Sequence, residues 1–326
     1  MELPFYDTSI LALAALLIGV IMLVKGGGWA VDSGVFIASR FGISPMVVGF
    51  TIIAFGTSLP EMIVSVFANL QGSSGIALGN VLGSNIANIL LVLGSVAIFV
   101  TIKVKISKML IRDLIFMMAA TILLAALLIY GDISRFTGGV MVAILAAYIL
   151  FQYKTADKDD FKATENDGTV FKNDYLAYIT LFMGLICIAI GAEFLVKGAK
   201  VSASLIGVPE AVIALSIIAF GTSLPELSTS IIAARKGQVG MVIGNIIGSN
   251  VFNILMIIGV TVLIKPIAAG SFSPQIINFD IWVTLLVGLF FMLILFIFGR
   301  ISRVVGILFL LSYIAYNIYI YIINLG

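Results

Sequence analysis

The sequence predicts an all-α membrane protein of ten transmembrane helices, arranged as two inverted five-helix repeats. Three observations carry that prediction. Of 326 residues, 61% are hydrophobic and 10% are charged, with a mean hydropathy of +1.22, whereas a soluble domain carries about 25% charge. The apolar residues fall in runs of about 20 or more, enough to cross a bilayer as a helix. One stretch also occurs twice: residues 52–61 and 217–226 both read IIAFGTSLPE, 165 positions apart.

The match continues at that offset. GNVLGSNIAN at 79–88 faces GNIIGSNVFN at 244–253, and Ser39 and Gly42 face Ser204 and Gly207. The repeat unit is therefore about five helices, dividing the chain into 1–153, a linker at 154–174, and 175–326. In order, the spans are predicted at 9–39, 46–70, 76–101, 109–130, 134–153, 175–205, 211–234, 240–263, 279–299 and 302–324. The first and sixth are longer than a crossing needs. They must tilt or bend, and Gly26-Gly27-Gly28 and Gly191 offer places to bend. An odd number of spans per repeat makes the second copy enter the membrane from the opposite side, a transporter signature, and puts both termini on one face.

Charge sets the orientation. One set of loops holds Arg40, Lys103, Lys105, Lys108, Arg112, Arg235, Lys236, Arg300 and Arg303, while the opposite loops hold Arg135 and Lys265. The basic side is expected to be cytoplasmic, with both termini outside and the linker inside a multi-pass protein of the cell membrane. The linker is polar and partly acidic. However, Lys162 stands where an EF-hand needs its turn glycine, so the segment reads as a solvated connection. Glu2 and Asp7 precede the first span without a basic stretch, so no cleavable signal is expected. There is no histidine, which excludes Ser-His and Cys-His catalysis and histidine metal sites. Cys187 is alone, and a net charge of +2 gives no reason to expect nucleic acid.

The chemistry lies in the repeated motifs. Glu61 and Glu226 fall in mid-span, each one residue after a proline, and ionisable groups at membrane depth usually line a pathway. Pro60 and Pro225 have no N–H, so the carbonyls of Gly56 and Gly221 lose their helical donor, and a cation can take its place. Thr57 and Glu61 share a helix face at four-residue spacing, as do Ser84 with Asn88, Thr222 with Glu226, and Ser249 with Asn253. Gly79, Gly83, Gly244 and Gly248 read instead as a close-packing device. Every candidate ligand is oxygen, which hard cations prefer. Two carboxylates balance one Ca²⁺ or two Na⁺, so the residues alone point to a Ca²⁺ site that also takes Na⁺. Ser58 or Ser223 as an enzyme nucleophile would lack a base, and no enzyme is expected.

GTSLPE followed by GN-x-x-GSN-x-x-N, in both halves, resembles the sodium/calcium exchanger family of cation/calcium antiporters, over essentially the whole chain. The resemblance implies an ion core built from broken second, third, seventh and eighth helices. It implies a calcium site at Glu61 and Glu226 with the carbonyls of Thr57 and Thr222. Sodium sites would add Ala54, Ser58, Ser84, Ala219, Ser223 and Ser249, with Asn88 and Asn253 in the middle. It also implies that the first and sixth helices move against the core, and that exchange is electrogenic. The ions are substrates rather than cofactors; the other partner is lipid, and a monomer is expected. The linker is too short for the regulatory insert of animal members. Two rivals remain. Proton/calcium exchangers of the superfamily typically carry a glutamate where Gly83-Ser84 and Gly248-Ser249 stand here. A cation channel would use the same ligands without an inverted repeat. Potassium-dependent relatives typically carry aspartate at the position of Asn253, so potassium independence is expected.

Overall fold

The computed structural model describes residues 9–155, 171, 173–205 and 219–325. Helix α1 (Ser9–Phe41) leads into a broken second span: α2 (Pro45–Val48), a π-helical turn Gly49–Ile53, α3 (Ala54–Thr57) and α4 (Leu59–Leu70). The third span is α5 (Ser74–Ala87), a π-turn Asn88–Leu93 and α6 (Gly94–Phe99). Strand β1 (Ile102–Lys103), α7 (Lys108–Tyr130) and α8 (Arg135–Lys154) complete the first half. The second half contains α9 (Asp174–Leu205), α10 (Ala219–Thr222), α11 (Leu224–Arg235) and α12 (Val239–Phe252). It continues through a π-turn Asn253–Ile258, α13 (Gly259–Ile264), a π-turn Ile276–Asp280, α14 (Ile281–Phe298), β2 (Arg300–Ile301) and α15 (Arg303–Leu325).

Among the described residues, eight helices are long and apolar enough to cross a membrane, or nine if the bent pair Pro45–Thr57 and Leu59–Leu70 is one span. The predicted span 211–234 is described only from Ala219 onward, and most of the linker lies outside the described residues. The helix starts follow local chemistry. Ser107 and Ser134 accept hydrogen bonds from Leu110 N and Thr137 N at 3.1 and 3.2 Å, capping α7 and α8 where the first-turn donors have no helical partner. Gly299 ends α14 at φ 59°, a left-handed conformation that glycine adopts without steric cost.

The molecule is layered. Spans Ser74–Phe99 and Val239–Ile264 have 83% and 89% of their central residues buried, against 11–44% for the other spans. They form the core, and the outer helices present apolar residues such as Leu13, Leu17, Ile115 and Ile297 outward, as a lipid-facing surface requires. Below the aliphatic layer, the two core spans also bury Asn85, Asn88, Asn250 and Asn253. Polar side chains are placed in the middle of the least exposed helices.

The long helices α1 and α9 are uninterrupted and lie against each other. A Cβ on Gly19 would sit 2.8 Å from the Gly191 carbonyl oxygen, and one on Gly26 would sit 2.7 Å from that of Gly184. One number rises as the other falls, so the helices run antiparallel. The sequence reading took Gly26 and Gly191 as bending points. Both helices are unbroken there, and these glycines let two backbones touch. The expectation for the motif glycines holds at Gly248, where a Cβ would meet Phe50 Cα at 2.7 Å, and at Gly244, where it would meet Phe50 N at 2.9 Å. A Cβ added to Gly79 or Gly83 would meet no described atom within 4 Å beyond its own helix backbone. The repeat-equivalent partner segment, near 211–215, is outside the described residues.

The loops interlock the halves. β1 pairs antiparallel with β2, placing Ile102 opposite Ile301 and Lys103 opposite Arg300. Ile133 forms a bridge with Ile267. Ile102 and Ile267 are 165 apart, so each third-span exit pairs with a loop of the other half. The basic residues gather accordingly. Arg40 pairs with Asp174, Lys236 with Asp32, and Arg112 donates to Thr155. Arg135 and Lys265 instead donate to the carbonyls of Ile264 and Leu70.

Candidate ion-binding site

The second span breaks at Ser58, whose φ and ψ are −85° and 2°. The equivalent break is at Ser223, at −87° and 3°. These bridge-region conformations are sparsely populated and recur because the same sequence surrounds both. Pro60 and Pro225 lie in the first turn of the following helices, where a missing N–H is tolerated. The chain therefore turns through 45° at Ser58, and Glu61 enters α4 in its first turn, as Glu226 enters α11. A carboxylate near a helix N-terminus is favourably placed against the helix dipole.

The two halves meet at these carboxylates. Ser58 Oγ donates to Glu226 Oε1 at 3.3 Å, a bond from one repeat to the other. Glu61 and Glu226 are each 1% exposed, and Thr57, Ser58, Ser84, Asn88, Ser223, Ser249 and Asn253 are also buried. Thr222 is half-buried and Ala54 fully buried. Ala219 begins α10, and its side chain lies outside the described set.

Among the described residues, many of these atoms have no hydrogen-bond partner. Glu61 Oε2, Glu226 Oε2, Ser223 Oγ, Ser249 Oγ, Asn253 Oδ1, and both polar atoms of Asn88 are buried without a hydrogen bond. Leaving a buried polar group unpaired costs about 1–3 kcal/mol, and more if it is charged. The seven atoms come from both repeats, and Glu61 with Glu226 and Asn88 with Asn253 are repeat-equivalent pairs among them. The donor set is oxygen apart from one amide nitrogen, and two carboxyls contribute the charge, which suits a hard cation.

Each half carries an asparagine strut behind its glutamate helix, and in the first half the strut also reaches the glutamate's own carbonyl. Asn80 Nδ2 donates to Ser65 Oγ at 2.9 Å and to the Glu61 carbonyl at 3.1 Å. The equivalent Asn245 Nδ2 donates to Ser230 Oγ at 3.2 Å. The same amide–hydroxyl strut thus ties α5 to α4 and α12 to α11.

The sodium/calcium exchanger protein family matches this chain at residues 11–154 and 176–322. The chain belongs to that family. It is a prokaryotic-type member of these multi-pass membrane exchangers. The sodium/calcium exchanger MaX1 of Methanosarcina acetivorans is 31% identical, with 94% of this chain and 98% of MaX1 covered. The inner membrane protein YrbG of Escherichia coli is 34% identical over 87% of this chain and 89% of its own. Among solved structures, the sodium-calcium exchanger NCX_Mj soaked with zero Na⁺ and Ca²⁺ superposes with a TM-score of 0.81. It is 34% identical, and 94% of this chain and 98% of that chain are covered.

In this exchanger, sequence reasoning passed over Asn80, Asn245, Asn85 and Asn250 as site-forming residues. Their signal was present, since all four recur at the 165-residue offset inside the matched motif. The π-turns were also missed. Those at Asn88–Leu93 and Asn253–Ile258 each begin on a candidate ligand, in keeping with the tendency of π-bulges to mark functional positions.

Proposed function

We propose that this protein is a secondary antiporter that exchanges Na⁺ for Ca²⁺ by alternating access. The observation that carries the reading is the convergence of unpartnered buried oxygens from both repeats around Glu61 and Glu226, with Ser58 bonded across to Glu226. Calcium would bind the two carboxylates and the carbonyls of Thr57 and Thr222. Sodium would use Ala54, Ser58, Ser84, Ala219, Ser223 and Ser249, with Asn88 and Asn253 in the middle. More than two sodium ions per calcium make the cycle electrogenic, and a neutral Asn253 makes it independent of potassium.

Ten spans in two inverted halves, 1–153 and 175–326 joined by a cytoplasmic linker at 154–174, are part of the same reading. The antiparallel contact between repeat-equivalent α1 and α9 supports the inversion, since a two-fold axis in the membrane plane reverses equivalent helices. Both termini then lie outside, and the working unit is a monomer. Gly83-Ser84 and Gly248-Ser249 favour sodium over protons as the coupling ion. The test is calcium uptake into proteoliposomes. Sodium-loaded vesicles diluted into sodium-free medium are expected to accumulate calcium, and an imposed pH gradient without sodium is not expected to drive it. Uptake that follows the pH gradient and ignores sodium would select the proton exchanger.

A further inference from the structure

Asn85 and Asn250 are not among the proposed ligands, yet Asn85 holds the amide of one that is, Asn253. The halves are identical here in sequence, with Ser84-Asn85 and Asn88 matching Ser249-Asn250 and Asn253. Their hydrogen bonds differ. Asn253 Nδ2 donates to Asn85 Oδ1 at 3.0 Å, and Asn85 Nδ2 donates to the Asn250 carbonyl at 3.3 Å. Asn250 instead commits its Nδ2 to the Ile246 carbonyl one turn back, at 2.8 Å. Its Oδ1 is left buried without a partner, and Asn88 has neither polar atom engaged. All four side chains are at most 2% exposed.

A primary amide presents one acceptor and one donor end. With Nδ2 of Asn253 held by Asn85, Oδ1 is the end left for a cation. Asn88 has no such constraint. We propose that Asn85 and Asn250 are positioning residues that fix one central amide at a time. Asn85 holds Asn253 in the state described here, and Asn250 holds Asn88 in the state open to the opposite face. The inference rests on the antiport reading. In an inverted repeat, exchanging the conformations of the two halves converts one facing into the other. A contact made by one half then has a counterpart that forms when the roles swap. The counterpart atoms, Asn250 Oδ1 as acceptor and Asn88 Nδ2 as donor, are the ones found buried and unpaired. The cation-facing amide oxygen of the sodium sites therefore passes from Asn253 to Asn88 as the transporter turns over.

The test measures the KM for sodium separately at each membrane face, in right-side-out and inside-out vesicles. Asn85→Leu is expected to raise KM by about tenfold at one face and leave the other within about twofold, because one buried amide partner is lost in only one state. Asn250→Leu is expected to do the reverse. In an Asn253→Ala background, Asn85→Leu should add nothing further. Asn85→Ala replaces the leucine variant if size exclusion shows that the latter does not fold. Equal shifts at both faces, no shift at either, or additivity with Asn253→Ala would overturn the inference while leaving antiport intact. Wild-type vesicles that exchange no calcium would instead remove the antiport reading, and this inference with it.

Discussion

At the scale of the residue, the candidate site was legible in the sequence because its motif is repeated. Two glutamates in identical apolar stretches, 165 residues apart, come together in three dimensions with Ser58 donating to Glu226. If both carboxylates bind calcium, Glu61→Gln and Glu226→Gln should each remove calcium transport from folded protein. One negative charge then faces +2 in a buried site, a loss of about 3–5 kcal/mol, or more than a hundredfold in affinity. Normal calcium uptake by both variants would displace the site. Asn253 makes a second prediction. Its amide can coordinate an ion but cannot balance another charge, so sodium-driven calcium uptake should proceed at full rate with potassium absent on both sides. Radioactive potassium moving with calcium would contradict it. The supporting asparagines were harder to read. Asn80 and Asn85 sit in the same motif as the candidate ligands, and only their partners in space distinguish a brace from a ligand.

At the scale of the element, hydropathy placed the described spans to within a few residues. It did so because a helix in lipid must be apolar along its whole crossing. Hydropathy carries no information on how a helix is wound. The π-turns at Asn88 and Asn253, and the choice of Gly26 as a contact rather than a hinge, depend on neighbouring helices. Those contacts have measurable consequences. A Cβ on Gly19 would fall 2.8 Å from the Gly191 carbonyl oxygen and Leu195 N, whereas one on Gly28 would meet nothing within 4 Å. Gly19→Val should therefore lower thermal stability by about 1–3 kcal/mol, the usual range for overpacking. Gly28→Ala should be neutral or slightly stabilising, because alanine forms helix more readily than glycine. Equal effects of the two substitutions on the melting curve would show that the α1–α9 contact is not as tight as described.

At the scale of the whole molecule, the proposed inversion comes from counting. Five spans per repeat would leave the second copy upside down. The loop pairings extend the argument. Ile102 bridges to Ile301, and its equivalent Ile267 bridges to Ile133. Under inversion these two ladders lie on opposite sides of the membrane. The first ladder carries Lys103 and Arg300, with Lys105, Lys108 and Arg303 close by in sequence, and positive charge near short loops is retained in the cytoplasm. Cys187 is the single cysteine, so Cys187→Ser gives a background in which one new thiol reports one position. Lys105 and Ser271 are both exposed, and they lie at nearly equivalent points of the two repeats. On intact cells, a membrane-impermeant maleimide should label Ser271→Cys at once and Lys105→Cys only after permeabilisation. Labelling of both from the same side would refute the inverted arrangement. The reverse order would keep the inversion but place both termini in the cytoplasm, against the distribution of lysine and arginine.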